Sequence, residues 1–251
     1  MSEELVANDM NTQLILIAGF SASGKSASLR NLRNQERWLY LNTEAGKRLP
    51  FRNKFQSYNI EDPYQIWEAF DAASPGGDMA NDVDGIIIDS ATFMMDMLES
   101  QYVLPSANTQ KAWGDFAQFF KILLQQKVVK FGKPVIITAH AKDELDEAAG
   151  IMKTFIPVKG SLKNNGLEAY FSTVVYAERV DIKELEKYGN KMLEITEEER
   201  DLGYKHVFQT RPTKKSVGKR LRSPMGMFEK SETYIDNDCQ KLLDHLAEYY
   251  A

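Results

Sequence analysis

Five apolar residues, Leu14-Ile15-Leu16-Ile17-Ala18, run without interruption into Gly19-Phe20-Ser21-Ala22-Ser23-Gly24-Lys25-Ser26. No other stretch of the chain constrains the fold so tightly. An apolar run of strand length, stopped by a glycine, suits a strand buried on both faces of a parallel sheet. The eight residues behind it fit G-x-x-x-x-G-K-[ST] at every defined position, and a helix over 25–34 is expected directly after them. Strand, glycine-rich turn and helix start together build an anion site. The glycines let backbone N–H groups close around phosphates, and the helix turns its positive end toward them. Gly19, Ser21, Ala22, Ser23, Gly24, Lys25, Ser26 and Ala27 are therefore the candidate contacts of ATP, with Lys25 on its β- and γ-phosphates and Ser26 on its Mg²⁺. A turn that binds nothing has no need of Lys and Ser after its last glycine.

The rest of the pattern extends that start into an α/β fold. Strands are predicted at 38–42, 85–89 and 133–140, rich in aliphatic and β-branched residues. Helical spacing occupies 63–73, 90–101 and 111–131. Strands alternating with helices imply a mostly parallel central sheet flanked by helices, with right-handed crossovers. Residues 141–166 read as a loop, followed by a fifth strand within 168–178. The charge-dense stretch 180–203 reads as a solvated helix or a projecting hairpin, 206–210 as a further strand, and 237–250 as a C-terminal helix. The expectation is a single domain over 1–251 with a flexible 1–11 and a basic segment at 204–227.

Composition narrows the class further. With 43% hydrophobic and 27% charged residues the chain is neither disordered nor membrane-like, and no apolar run is long enough to span a bilayer. One cysteine, Cys239, excludes an intrachain disulfide and a Cys-rich zinc site. Residues 1–11 lack a secretory h-region, so a cytoplasmic setting is expected. The net charge of -5 argues against a general nucleic-acid coat, yet the charge is uneven: Lys205, Arg211, Lys214, Lys215, Lys219, Arg220 and Arg222 fall in a stretch with no Asp or Glu before Glu229. That stretch reads as a solvated face, as a phosphate-binding surface for DNA or RNA, or as a cationic finger reaching a neighbouring subunit's ATP. Lys153, Lys159 and Lys163, with Phe155 among them, read as a surface loop or as a basic and aromatic loop suited to a single strand.

Three further positions carry candidate chemistry. Asp89 ends the apolar strand Gly85-Ile86-Ile87-Ile88 and is the expected carboxylate opposite Ser26 on the metal side, with Ser90 beside it. Glu44 follows the second strand, on the rim where the phosphate loop opens, and is the candidate general base for water. Thr138 and His140 end the fourth predicted strand on the same rim, where they can sense the γ-phosphate.

Taken together, the loop at 19–26, Glu44, Asp89-Ser90 and the segment 160–180 resemble the RecA-like P-loop ATPases, and especially the short phage-type Sak group of single-strand annealing and recombination ATPases. The resemblance implies ATP and Mg²⁺ as cofactors and single-stranded DNA as partner. It also implies a homo-oligomer, ring or filament, with a single-strand-binding protein as a further partner, in the host cytoplasm. It assigns water activation to Glu44 and γ-phosphate sensing to His140, where the family usually has Gln. DNA-binding loops would fall at 102–113 and 141–166, and Lys214, Lys215 and Arg220 become the candidates to reach a neighbour's nucleotide. Three other readings stay open: a nucleotide-gated interaction module of a replication or packaging machine, a P-loop small-molecule kinase, which needs a lid of converging arginines, and a helicase, since hexameric helicases share this core.

Overall fold

The computed structural model describes residues 13–251, and the predicted flexible segment 1–11 lies outside them. In chain order the strands are β1 Leu14–Gly19, β2 Trp38–Asn42, β3 Gln56–Asn59, β4 Gly85–Asp89, β5 Val135–His140, β6 Lys142–Asp146, β7 Ile151–Phe155, β8 Thr173–Asp181, β9 Tyr204–Gln209 and β10 Tyr234–Asp236. The α-helices are α1 Tyr64–Ala73, α2 Ala91–Leu98, α3 Thr109–Ile122, α4 Val128–Phe131, α5 Ile182–Leu185, α6 Glu197–Leu202 and α7 Cys239–Tyr250. Eight strands form one sheet in the order β10-β9-β8-β1-β5-β4-β2-β3. The six from β3 to β8 run parallel, and β9 is antiparallel to both of its neighbours.

The apolar runs are sandwiched, and alternation sorts them between two cores. On β1, Leu14, Leu16 and Ala18 face the layer of α1, α2, α3 and α4, whereas Ile15 and Ile17 face α7 and the short helix after the phosphate loop. Ile86 and Ile88 of β4 divide from Ile87 in the same way. Within β4, Gly85 makes room for a ring: a Cβ there would stand 2.4 Å from Trp38 Cζ3.

Several expectations need correction. The helix expected over 25–34 is a 3₁₀ segment, Ser26–Asn31. Ser28 N–H is shared between Gly24 O at 3.0 Å and Lys25 O at 3.2 Å, which tightens the turn. The edge strand β3 is an addition, polar because most of it is exposed. The helix over 90–101 continues beyond α2 as a π segment, Glu99–Val103, and that over 111–131 is divided into α3 and α4 by another, Leu123–Lys127. The loop at 141–166 contains an antiparallel hairpin, β6 with β7, whose outward residues are too charged to show strand alternation. The stretch 180–203 holds the end of β8, α5, a 3₁₀ segment Glu186–Tyr188, coil and α6. Its Ile182 and Leu185 pack on Val207 and Tyr234, so it is docked on the sheet. The basic segment contains β9 and then runs on largely as turns.

Helix α7 matters most for the site. Asp238 caps it, accepting from Gln240 N at 2.9 Å and Lys241 N at 3.3 Å, and the same carboxylate accepts from Asn31 Nδ2 at 2.7 Å. Leu242 and Leu246 are fully buried in the core that holds Leu29 and Leu32. We expect Leu242→Ala to destabilise the fold by about 2–5 kcal/mol in urea unfolding; a loss below ~1 kcal/mol would mean that α7 lies outside the cooperative unit.

Candidate functional site

Parallel register brings four strand ends to one rim. Gly19 pairs with His140 and Asn42 with Asp89, so the phosphate loop and the segments that follow β2, β4 and β5 open on the same side. There they line a cleft of 580 Å³.

The loop is shaped by two left-handed residues, Ala22 at φ 59° and Gly24 at φ 101°. Gly19 is required by close packing, since a Cβ there would lie 2.5 Å from Ser23 Oγ and 2.6 Å from the Ala177 carbonyl. Lys25 is 6% exposed, and its ammonium donates to the carbonyls of Gly19 at 2.9 Å and Phe20 at 2.8 Å. Burial lowers its pKa to about 8, against the opposing pull of Asp89 and Glu44. A desolvated cation at the mouth of a loop whose following amides are the free donors of a helix start suits a polyanion.

Asp89 is the meeting point of the rim. Its Oδ2 accepts from Ser26 Oγ at 2.9 Å and from Tyr40 OH at 2.8 Å, and its Oδ1 accepts from Thr138 Oγ1. Burial, then Asp89 itself, push the Tyr40 phenol's pKa up, so Tyr40 stays a donor. The peptide between Asp89 and Ser90 is cis, and Thr43 Oγ1 donates to Ser90 O at 2.8 Å while accepting from Ser90 N at 2.7 Å. Ser26 and Asp89 present hard oxygens of the kind that Mg²⁺ takes, one or two from protein with the remainder from phosphate and water. Among the described residues no cluster of three or more His, Cys, Asp or Glu forms an all-protein metal cage.

Glu44 and His140 face each other across the cleft. His140 Nε2 donates to Glu44 Oε1 at 3.5 Å, and Lys47 Nζ donates to Oε2 at 2.8 Å. These contacts, His140 foremost, hold the Glu44 carboxyl at about 2, well below the usual range. Glu44 is thus ionised at neutral pH and suited to orient water; losing either contact would raise its proton affinity. His140 is itself positioned, its N–H donating to Thr92 Oγ1 at 2.8 Å and its ring set edge-on to Phe93.

Several cleft residues had no signal in the sequence pattern. His206 Nδ1 donates to Ser23 O at 2.8 Å, and Asn237 Nδ2 donates to Gly24 O at 2.9 Å. Arg30 reaches Asn237 O at 3.3 Å. These clamps bridge some two hundred residues of sequence, so no local spacing reveals them. Tyr40 was legible in principle, as the one polar tip in the middle of a buried strand.

The remaining candidates lie elsewhere. Lys153 pairs with Asp146 at 2.5 Å across the hairpin, and Lys159 pairs with Asp96 and Glu99 of α2 and its π extension. The Phe155 ring carries Lys142 Nζ at 5.1 Å and Arg220 Cζ at 5.4 Å, and Arg220 also lies 3.5 Å from Glu168. Lys163 is exposed on the 3₁₀ segment Gly160–Asn164. Lys214 and Lys215 line a second, separate cavity. The structure therefore brings Lys25, Ser26, Glu44, Asp89 and His140 together and leaves the basic candidates dispersed. No helix among the described residues is long and apolar enough to cross a membrane.

Comparison with known proteins adds one finding: the family described as an AAA domain matches residues 11–220 of the chain. No match is found among curated proteins.

Because phosphate oxygens beside Lys25 would raise its pKa, ATP binding should take up a proton above about pH 8. Affinity is then full below pH 8 and falls by up to about tenfold per pH unit above it. Calorimetry at about pH 9, in two buffers of different ionisation enthalpy, reads that uptake; its absence would show that Lys25 is already protonated there or does not meet the phosphates.

Proposed function

The chain belongs to the AAA-domain family, whose members generally bind and hydrolyse ATP, and on that premise we propose that it is an Mg²⁺-dependent ATPase that binds single-stranded DNA. In this reading it acts as an oligomer in recombination or strand annealing, in the manner of the phage enzymes it resembles. The observation that carries the nucleotide part is the convergence of Lys25, Ser26, Asp89, Glu44 and His140 on one cleft. What supports the DNA part is the acid-free basic segment of a chain that is acidic overall.

Mg²⁺-ATP, when bound, supplies the phosphoryl group to be transferred to water and the cation that neutralises its charge. The protein's part is positioning and electrostatics. Lys25, now on two carbonyl acceptors, would exchange them for phosphate oxygens, a stronger charge-assisted bond in a partly desolvated place. Ser26 and Asp89 would hold the metal when it is bound, and the hydroxyls of Tyr40 and Thr138 fix the Asp89 carboxylate in place. Glu44 orients the attacking water. His140 donates to Glu44 and couples it to α2 through Thr92. The clamps from His206 and Asn237 fix the loop carbonyls, so the loop's N–H groups keep their aim.

A second reading, a nucleotide-gated interaction module, is favoured by the hold of Lys47 and His140 on Glu44, which makes that carboxylate a weak proton acceptor. Steady-state ATP hydrolysis with and without single-stranded DNA separates the two. We expect DNA to stimulate turnover in the wild type, Lys25→Ala to lower turnover by about 10²–10³-fold, and Glu44→Gln to lower it by about 10²–10⁴-fold while DNA binding survives. Slow turnover that responds neither to DNA nor to Glu44→Gln would leave the module reading in place.

A further inference from the structure

The second cavity encloses 1070 Å³, nearly twice the nucleotide cleft, and is bounded by the end of β8, the segment 183–188 that packs over β9, and the basic turns at 211–219. Eight basic side chains line it against three carboxylates, in a chain whose net charge is -5. The carboxylates are already engaged: Glu178 accepts from Lys219 at 2.5 Å, Glu184 from Lys187 at 2.8 Å, and Asp181 caps α5 through Lys183 N at 3.0 Å. Among the described residues no carboxylate lies within ion-pair distance of Lys183, Lys214, Lys215 or Lys230, and all four are exposed. Like charges gathered in a concavity repel one another and raise the local potential for an anion, and nothing in the fold requires them to meet there.

From this we infer that the cavity is where a single-stranded DNA backbone lies, its phosphates on Lys183, Lys214, Lys215 and Lys230. The inference rests on the DNA reading above and gives it a surface. Three separate chain segments supply the cations, which suits several successive phosphates better than one. Tyr188, half-buried and set edge-on to Tyr234 with ring centroids 5.1 Å apart, offers an aromatic surface beside them for a base. A duplex, stiff over about 150 base pairs, cannot fold into such a cavity, whereas a single strand can. The hairpin candidates are weaker, because Lys153, Lys159 and the Phe155 ring are already engaged by neighbouring side chains.

Fluorescence anisotropy with a labelled 20-nucleotide oligothymidylate tests this across a salt series. The proteins compared are the wild-type chain, the quadruple variant K183Q/K214Q/K215Q/K230Q, and K153Q/K163Q, named the hairpin variant, which changes β7 and the 3₁₀ segment beyond it. All four cavity lysines are exposed, so the core is untouched. We expect the cavity variant to bind at least about tenfold more weakly, with a salt slope shallower by about 0.7 for each lysine engaged, and the hairpin variant to stay within about twofold of wild type. Wild-type binding that the cavity variant retains would overturn the cavity and leave the DNA reading standing. Absence of binding by the wild type would sink both. A cavity variant that binds normally but loses DNA-free hydrolysis would assign these lysines to a neighbouring subunit's nucleotide, and would also overturn the inference.

Discussion

A buried carboxylate needs partners, and the geometry of this protein's rim follows from how Asp89 finds them. The residue is 2% exposed and accepts three hydroxyls from three different elements: Ser26 behind β1, Tyr40 on β2 and Thr138 on β5. Leaving such a group unpaired would cost several kcal/mol. Tyr40 and Thr138 reach it only if β2 and β5 are in register with β4, and a slip by one residue would turn either side chain to the opposite face of the sheet. Satisfying one acceptor therefore aligns β2 and β5 with β4 and draws the segment behind β1 to the same rim, where the cleft lies.

Sequence periodicity foretold the centre of the molecule and failed toward its edges, for a physical reason. β1, β4 and β5 are buried on both faces, so they read as unbroken apolar runs. β3 and the β6–β7 hairpin are largely exposed; their residues carry no burial signal, and only tertiary pairing makes them strands. The phosphate loop, Glu44 and Asp89 were legible because local chemistry fixes both their residue types and their place after a strand. Asn237 and His206 were not, because their partners are carbonyls of the loop, which any sequence would provide. The basic segment showed its charge in one dimension. Which basic side chains are neutralised by Glu178 or Glu168, and which have no carboxylate within ion-pair distance, depended on folding in three.

The two cavities share a wall. Arg179, which borders the larger one, lies with its guanidinium 5.7 Å over the ring of Tyr204, and Tyr204 lines the nucleotide cleft beside His206. β8 and β9 thus carry side chains to both, and a shift of either strand would be felt at the phosphate loop through the bond from His206 to Ser23.

The amide of Asn237 holds the carbonyl of Gly24 across 213 positions of sequence. During synthesis the glycine-rich loop emerges with its glycines and lysine in place, yet it lacks its distant brace until the segment that carries Asn237 has also left the ribosome. Contacts of such long range form slowly. A nascent chain therefore carries the residues of a nucleotide site before it carries the finished site, and competence for ATP becomes a report that the segment of Asn237 has docked.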